Sequence, residues 1–340
     1  ESDRRHILKS MFYDPTYTRK LVKLKDGRTL SYCEVGAAGG TPVIFQVGLM
    51  GSSMVAVLFD EPIQLLRLGL RVYAVDYPGI GDSSPKPNRT LQDWPNDVLE
   101  FVNIILGPDQ VFALWSHSLG GPHALAILKH PVLSKRISRA TIVSPWLPFE
   151  DSTLFKTIKR LPPFVQKNVL PSLATTFSTS TLSMAGSVTS CGSNLQLEVA
   201  KIITSYASRQ GQAGNRQMVQ IALQEALPIP RNFQKPIFIF VGCRDSLVGQ
   251  RDCLKLVHLL SDRGCPNVVF HAIEGADHNR VMGGDNLVRI MHSLLPPLAV
   301  EEKASDVMPS SSENAGWQQE GTMSVLKTPT RVQQPRRFGC

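Results

Sequence analysis

The chain has 340 residues, 42% of them hydrophobic, and a formal net charge of +8. That length suits one large domain with an insertion as well as two domains, and no run of 18 apolar residues is present, so no membrane span is expected. The 36 basic residues are dispersed, with neither a dense run nor an aromatic-interleaved stripe, which argues against a nucleic-acid partner.

Residues 1–18 read as an N-terminal extension, opening with the charged Glu1 to His6 and lacking the apolar core of a signal peptide. Arg19 to Leu24 and Thr29 to Val35 alternate around the turn Asp26-Gly27, which predicts an antiparallel hairpin. Short apolar runs follow at Val43–Phe45, Val72–Val75, Val111–Trp115, Ala140–Val143, Ile237–Val241 and Val268–Ile273, as expected of strands covered on both faces. Helical patterns lie between them at Met54–Leu68, Leu91–Leu106, Leu119–His130, Gln250–Asp262 and Asn286–Leu295. This alternation predicts an α/β fold with a mostly parallel, doubly wound sheet whose reactive edge is at the strands' carboxyl ends.

One interval, 146–233, is too long for a crossover and must be inserted between two sheet strands. Its stretch Asn168 to Leu197 holds no charged residue, while Leu195–Ser208 and Gln217–Leu227 look helical. The core is then 19–145 and 234–298. From Pro296 the composition turns to Pro, Ser, Gln and Glu, and 299–340 reads as a disordered tail. Cysteines 33, 191, 243, 253, 265 and 340 show no C-x-x-C spacing, so most are expected to be free thiols in a reducing, cytoplasmic compartment. Cys33 and Cys243 read as buried and inert.

Ser116-His117-Ser118-Leu119-Gly120-Gly121 carries the chemistry. It follows an apolar strand and precedes a helix, which places Ser118 at the apex of a sharp turn with small neighbours on either side, as in a nucleophile elbow. Ser116 stands where the usual G-x-S-x-G pattern has its first glycine. Asp245 falls just after the strand Ile237–Val241, and His278 sits in Gly275-Ala276-Asp277-His278 after Val268–Ile273. A serine hydroxyl needs a base to take its proton, which is the part expected of His278, and Asp245 would fix the imidazole tautomer. Three other carboxylates compete for that last role: Asp277 reads as shaping its own loop, Asp76 as bracing the turn after its strand, and Asp82 lies further along that turn.

With Gln46 to Gly51, the stretch Asp76 to Ser84 and the order Ser, Asp, His, the chain from about Thr18 to Leu298 resembles the α/β-hydrolase superfamily, in its serine esterase and lipase-like branch. Val47-Gly48 stands where that family usually has His-Gly. The resemblance implies an insertion that caps the active site; the alternative is a structural excursion away from it. It also implies two oxyanion N–H donors, Leu119 after the nucleophile and Leu49 in the loop after the first parallel strand, with Gly48 and Met50 as less favoured donors that would border the substrate. Some family members carry the acid one strand earlier, but here that position reads Ser144-Pro145-Trp146.

The activity expected is hydrolysis of a small apolar carboxylic ester, with thioester, amide and lactone left open. A serine at 118 argues against the branches that use an aspartate nucleophile. Two alternatives stand: a receptor-like binding protein that retains the triad without turnover, and a cofactor-free lyase or perhydrolase. Phe177 in the uncharged stretch is a candidate contact for an acyl chain. No G-x-x-x-x-G-K-[ST] and no H-E-x-x-H occurs, so neither cofactor nor metal is expected. Oligomeric state is not legible.

Overall fold

Eight strands form one sheet: β1 (Lys20–Lys23), β2 (Thr29–Gly36), β3 (Thr41–Gln46), β4 (Leu70–Val75), β5 (Phe112–His117), β6 (Ile137–Val143), β7 (Ile237–Gly242) and β8 (Val268–Ile273). The computed structural model describes residues 10, 12, 14–15, 17–49, 51–60, 64–149, 160–165, 169 and 193–296. The predicted tail, most of the N-terminal extension and most of 150–192 lie outside them. Among the described residues no helix is long and apolar enough to cross a membrane.

The strands run in the order β1-β2-β4-β3-β5-β6-β7-β8. β1 pairs antiparallel with β2 and β2 with β4, and every other pairing is parallel. From β3 the chain steps one way to β4 and then back past β3 to β5. The order therefore reverses between β3 and β5, where open α/β sheets bind their ligands beyond the strands' carboxyl ends. Burial accounts for the central apolar runs: all six residues of β5 are buried, and Trp115 packs edge-on against Phe45, centroids 4.8 Å apart, with Phe59 at 4.5 Å. The run Val268–Ile273 departs from the expectation of two covered faces, because β8 ends the sheet and only Ile273 in it is buried.

Among the described residues six longer helices accompany the sheet: α1 (Trp94–Ile105), α2 (Gly120–Lys129), α3 (Ser193–Ala207), α4 (Ala213–Gln224), α5 (Gln250–Asp262) and α6 (Gly284–Ser293). The predicted helix over Met54–Leu68 is instead a 3-10 turn at Ser53–Asp60 and a short α-helix at Gln64–Arg67. Pro62, between them in sequence, has no N–H to donate. The helix predicted over Gln217–Leu227 runs Ala213–Gln224, and Glu225 is already extended at ψ 142. Pro228 disfavours helical backbone at the residue before it, which shortens that end.

Helices α3 and α4 belong to the insertion and are seated on the loop after β4. Tyr206 donates to Asp82 at 3.0 Å, and Arg209 pairs with the same carboxylate at 3.0 Å. Gln210 donates to the carbonyls of Gly81 and Ser83 at 2.7 and 2.9 Å, and Gln217 to that of Lys86 at 3.2 Å. The Leu91 N–H reaches Glu225 at 2.9 Å. Backbones meet at one point: a Cβ on Gly214 would stand 2.4 Å from the Gly79 carbonyl oxygen, so only glycine allows this approach.

Candidate active site

Three segments converge at the carboxyl edge of β5, β7 and β8. Ser118 has a φ of +54°, a left-handed conformation that costs a non-glycine residue energy and lifts its side chain off the end of β5. Hydrogen bonds hold the strain: the Ser118 N–H donates to Val143 at 3.0 Å, and its carbonyl accepts from Gly121 and Trp146 at 2.9 Å each. Gly120 has no freedom to carry a side chain, because a Cβ there would lie 2.2 Å from the Gln46 carbonyl oxygen. Ser116, in place of the motif's first glycine, is fully buried, and its hydroxyl has no hydrogen-bond partner among the described residues.

His278 lies between Ser118 and Asp245. Its Nε2 is 2.9 Å from the Ser118 hydroxyl oxygen and its Nδ1 is 2.8 Å from Asp245 Oδ2. The other Asp245 oxygen accepts the N–H groups of Leu247 and Val248 at 2.9 Å each. The Asp245 side chain is wholly buried, while that of His278 keeps 13% exposure. Burial raises the Asp245 pKa, but the hydrogen bond and charge of His278, with the Val248 N–H, outweigh it and leave the carboxyl below its ordinary value.

The competing carboxylates are engaged elsewhere. Asp277 accepts the N–H groups of Asn279 and Arg280 in its own loop, at 3.0 and 2.8 Å. Asp82 serves the insertion. Asp76 accepts from Ser31 and Ser53 hydroxyls, each at 2.7 Å, and from the Ser53 N–H, so it joins β2, β4 and the 3-10 turn. Burial pushes the Asp76 carboxyl up to about 7 despite those donors.

The candidate donors are the backbone N–H groups of Leu119 and Leu49. Leu119 opens α2, and no described residue accepts from its N–H or from that of Leu49. The Gly48 carbonyl, in the same peptide as the Leu49 N–H, accepts from Gly51 at 3.3 Å. This loop passes against the serine, since a Cβ on Gly48 would sit 3.1 Å from Ser118 Cβ. Phe45, Val47, Val55, Phe59 and Met282 line a small apolar cavity that reaches Gly48 and His117. On the insertion side, Leu49 and Trp146 pack against Val219 and Leu223 of α4. Met50 and Phe177 lie outside the described residues. Cys33 is buried and Cys243 half-buried.

His117 is a contact that sequence reading missed. Its Nε2 lies 3.0 Å from the His278 carbonyl oxygen and its ring 5.0 Å from that of His278. Burial, then the neighbouring His278, pushes its pKa down to about 3. The available signal was a histidine directly before the serine, on a strand with no polar face.

A family model described as alpha/beta hydrolase fold matches residues 41–285. Similar solved structures include an esterase from Exiguobacterium antarcticum, at 16% identity and TM-score 0.59, covering 81% of this chain and 97% of that one. Carboxylesterase CesB from Bacillus subtilis is similar at 16% identity and TM-score 0.58, covering 86% and 96%. A thermophilic esterase from Thermogutta terrifontis is similar at 19% identity and TM-score 0.55, covering 81% and 96%. At these identities the likeness is one of fold. No curated protein matches the sequence.

Proposed function

The chain belongs to the α/β-hydrolase fold family, and from that premise we propose that it is a serine hydrolase cleaving a small apolar carboxylic ester through an acyl-enzyme. The observation that carries this reading is the continuous chain of contacts Ser118 to His278 to Asp245, at 2.9 and 2.8 Å. The Ser118 oxygen attacks the ester carbonyl while His278 Nε2 takes its proton. Asp245 keeps the other ring proton on Nδ1 and stabilises the imidazolium that forms. Negative charge on the former carbonyl oxygen is met by the N–H groups of Leu119 and Leu49, a contribution of roughly 3 kcal/mol for each donor. His278 then returns its proton to the departing alcohol. Water, activated by the same nitrogen, cleaves the acyl-enzyme to acid and free serine.

Two features support an apolar substrate under a cap. The cavity beside Gly48 and His117 is walled by Phe45, Val47, Val55, Phe59 and Met282. The packing of α4 on Leu49 brings the insertion against the oxyanion loop. Labelling with a fluorophosphonate followed by mapping of the adduct tests the proposal, together with turnover of a series of acyl esters. The expected result is a single adduct on Ser118 and kcat/KM rising over the first several acyl carbons, since each buried methylene contributes about 0.8 kcal/mol. An adduct on another residue, or labelling without any ester turnover, would overturn it.

A further inference from the structure

An oxyanion hole works only if its donors stand at a fixed separation, each within about 3 Å of the charge that develops. The two segments proposed to supply those donors, Gln46 to Leu49 and Leu119, are tethered to one set of touching rings. Trp94, Tyr77 and His123 are each 1% exposed. The Tyr77 centroid lies 4.7 Å from that of Trp94 and 4.4 Å from that of His123. Each ring directs its one polar hydrogen at the site's backbone or at the residue leading into it. Trp94 Nε1 donates to Gln46 Oε1 at 2.6 Å, the Tyr77 hydroxyl to the Val47 carbonyl at 3.2 Å, and His123 Nδ1 to the Leu119 carbonyl at 3.1 Å.

The direction of the last bond is fixed by chemistry, because a carbonyl only accepts. His123 therefore carries its proton on Nδ1. Burial, and then the charge of Arg89, pushes its pKa down to about 3, so the ring stays neutral. The Arg89 guanidinium, 4% exposed, sits over the Tyr77 ring at 5.6 Å. None of its three nitrogens has a hydrogen-bond partner among the described residues.

We propose that Trp94, Tyr77 and His123 form a rigid strut that sets the distance and orientation between the Leu49 and Leu119 N–H groups, making them positioning residues for acyl transfer. This rests on the ester-hydrolase reading above. Tyr77 orients the Val47–Gly48 peptide, directly before the one that bears the Leu49 N–H. His123 holds the first turn of α2, which starts at the other donor. The rings are in mutual contact, so a displacement at one segment is resisted by the other.

The test uses Tyr77→Phe, which removes only a hydroxyl, and His123→Phe, which keeps a ring and removes the hydrogen bond. A separate aliquot of wild type and of each variant is titrated with fluorophosphonate to count reactive serines, and the rates of the unlabelled enzyme are divided by that count. The expected result is kcat per site lowered roughly tenfold in each variant with KM near wild type. Binding of an alkyl boronic acid, which forms a tetrahedral adduct on the serine, should weaken in proportion, while a non-hydrolysable ether analogue binds as before. Loss of packing alone would lower the labelled fraction without changing that ratio. Trp94→Phe provides a third reading if one variant does not fold. Unchanged kcat per reactive serine, or equal weakening of boronate and ether, would overturn the strut and leave the esterase reading intact. Absence of wild-type labelling at Ser118 would overturn both.

Discussion

His117 donates its Nε2 proton to the backbone carbonyl of His278 across 3.0 Å, so the residue before the proposed nucleophile holds the main chain of the proposed base. The carbonyl can only accept, which fixes the tautomer. His117→Phe keeps a ring in this space and removes the bond. It is expected to lower kcat by roughly tenfold with little change in KM, since small misplacement of reacting groups is costly. Steady-state kinetics check this, and an unchanged kcat would show that His278 is held by Asp245 and its loop alone.

The same histidine gives a pH dependence of stability. An ordinary imidazole binds its proton at 6.5, whereas buried His117 binds at about 3. Between those values the unfolded chain holds the extra proton, so stability rises with pH and is lost as pH falls below 6.5. Asp76, raised from 3.8 to about 7, gives the opposite slope over much of that window. Comparing wild type with His117→Gln cancels Asp76. In denaturant titrations the wild type should lose up to about 1.4 kcal/mol more per pH unit between 6 and 4. Parallel pH profiles would contradict this.

Ser118→Ala and His278→Ala are each expected to abolish ester turnover, by on the order of 10⁴-fold in kcat, because a triad fails as a unit. Asp245→Asn should lower kcat by on the order of 10³-fold or more with KM near wild type, since the amide no longer enforces the Nδ1–H tautomer. A silent Asp245→Asn paired with an inactive Asp277→Asn would move the acid.

Ser116 leads to a prediction about stability. Its hydroxyl is fully buried without a partner among the described residues, on a strand where Ser116 pairs with Gln46 and Ile142. Leaving such a group unsatisfied costs about 1–3 kcal/mol. Ser116→Ala is expected to raise the stability by about 1 kcal/mol with activity retained. A lowered Tm would show that the hydroxyl is bonded in solution.

The central strands were legible because their two faces are covered, which leaves continuous apolar runs such as Phe112-Ala113-Leu114-Trp115. The three proposed catalytic residues were legible because each lies in the short loop or turn that follows such a run. Propensity failed where tertiary contact decides. Gly214 and Asn215 have poor helix propensity, yet α4 begins at Ala213, where Gly214 packs without a side chain against the Gly79 carbonyl. Trp94, Tyr77 and His123 were illegible as a group: they are distant in sequence, and only the fold turns their single polar hydrogens toward Gln46, Val47 and Leu119.

The seam between α3, α4 and the loop after β4 has an asymmetry. The insertion supplies side chains, Gln210, Gln217 and Glu225, whereas the core meets them with main-chain groups of Gly81, Ser83, Lys86 and Leu91. Among the described residues, core side chains add to this joint through Asp82, which meets Tyr206 and Arg209, and through Ser52, which donates to the Ile203 carbonyl of α3 at 3.1 Å. Much of this docking signal is thus the path of the core backbone, and Gly214, where the two main chains cross at residue 79, is the position that a side chain would block.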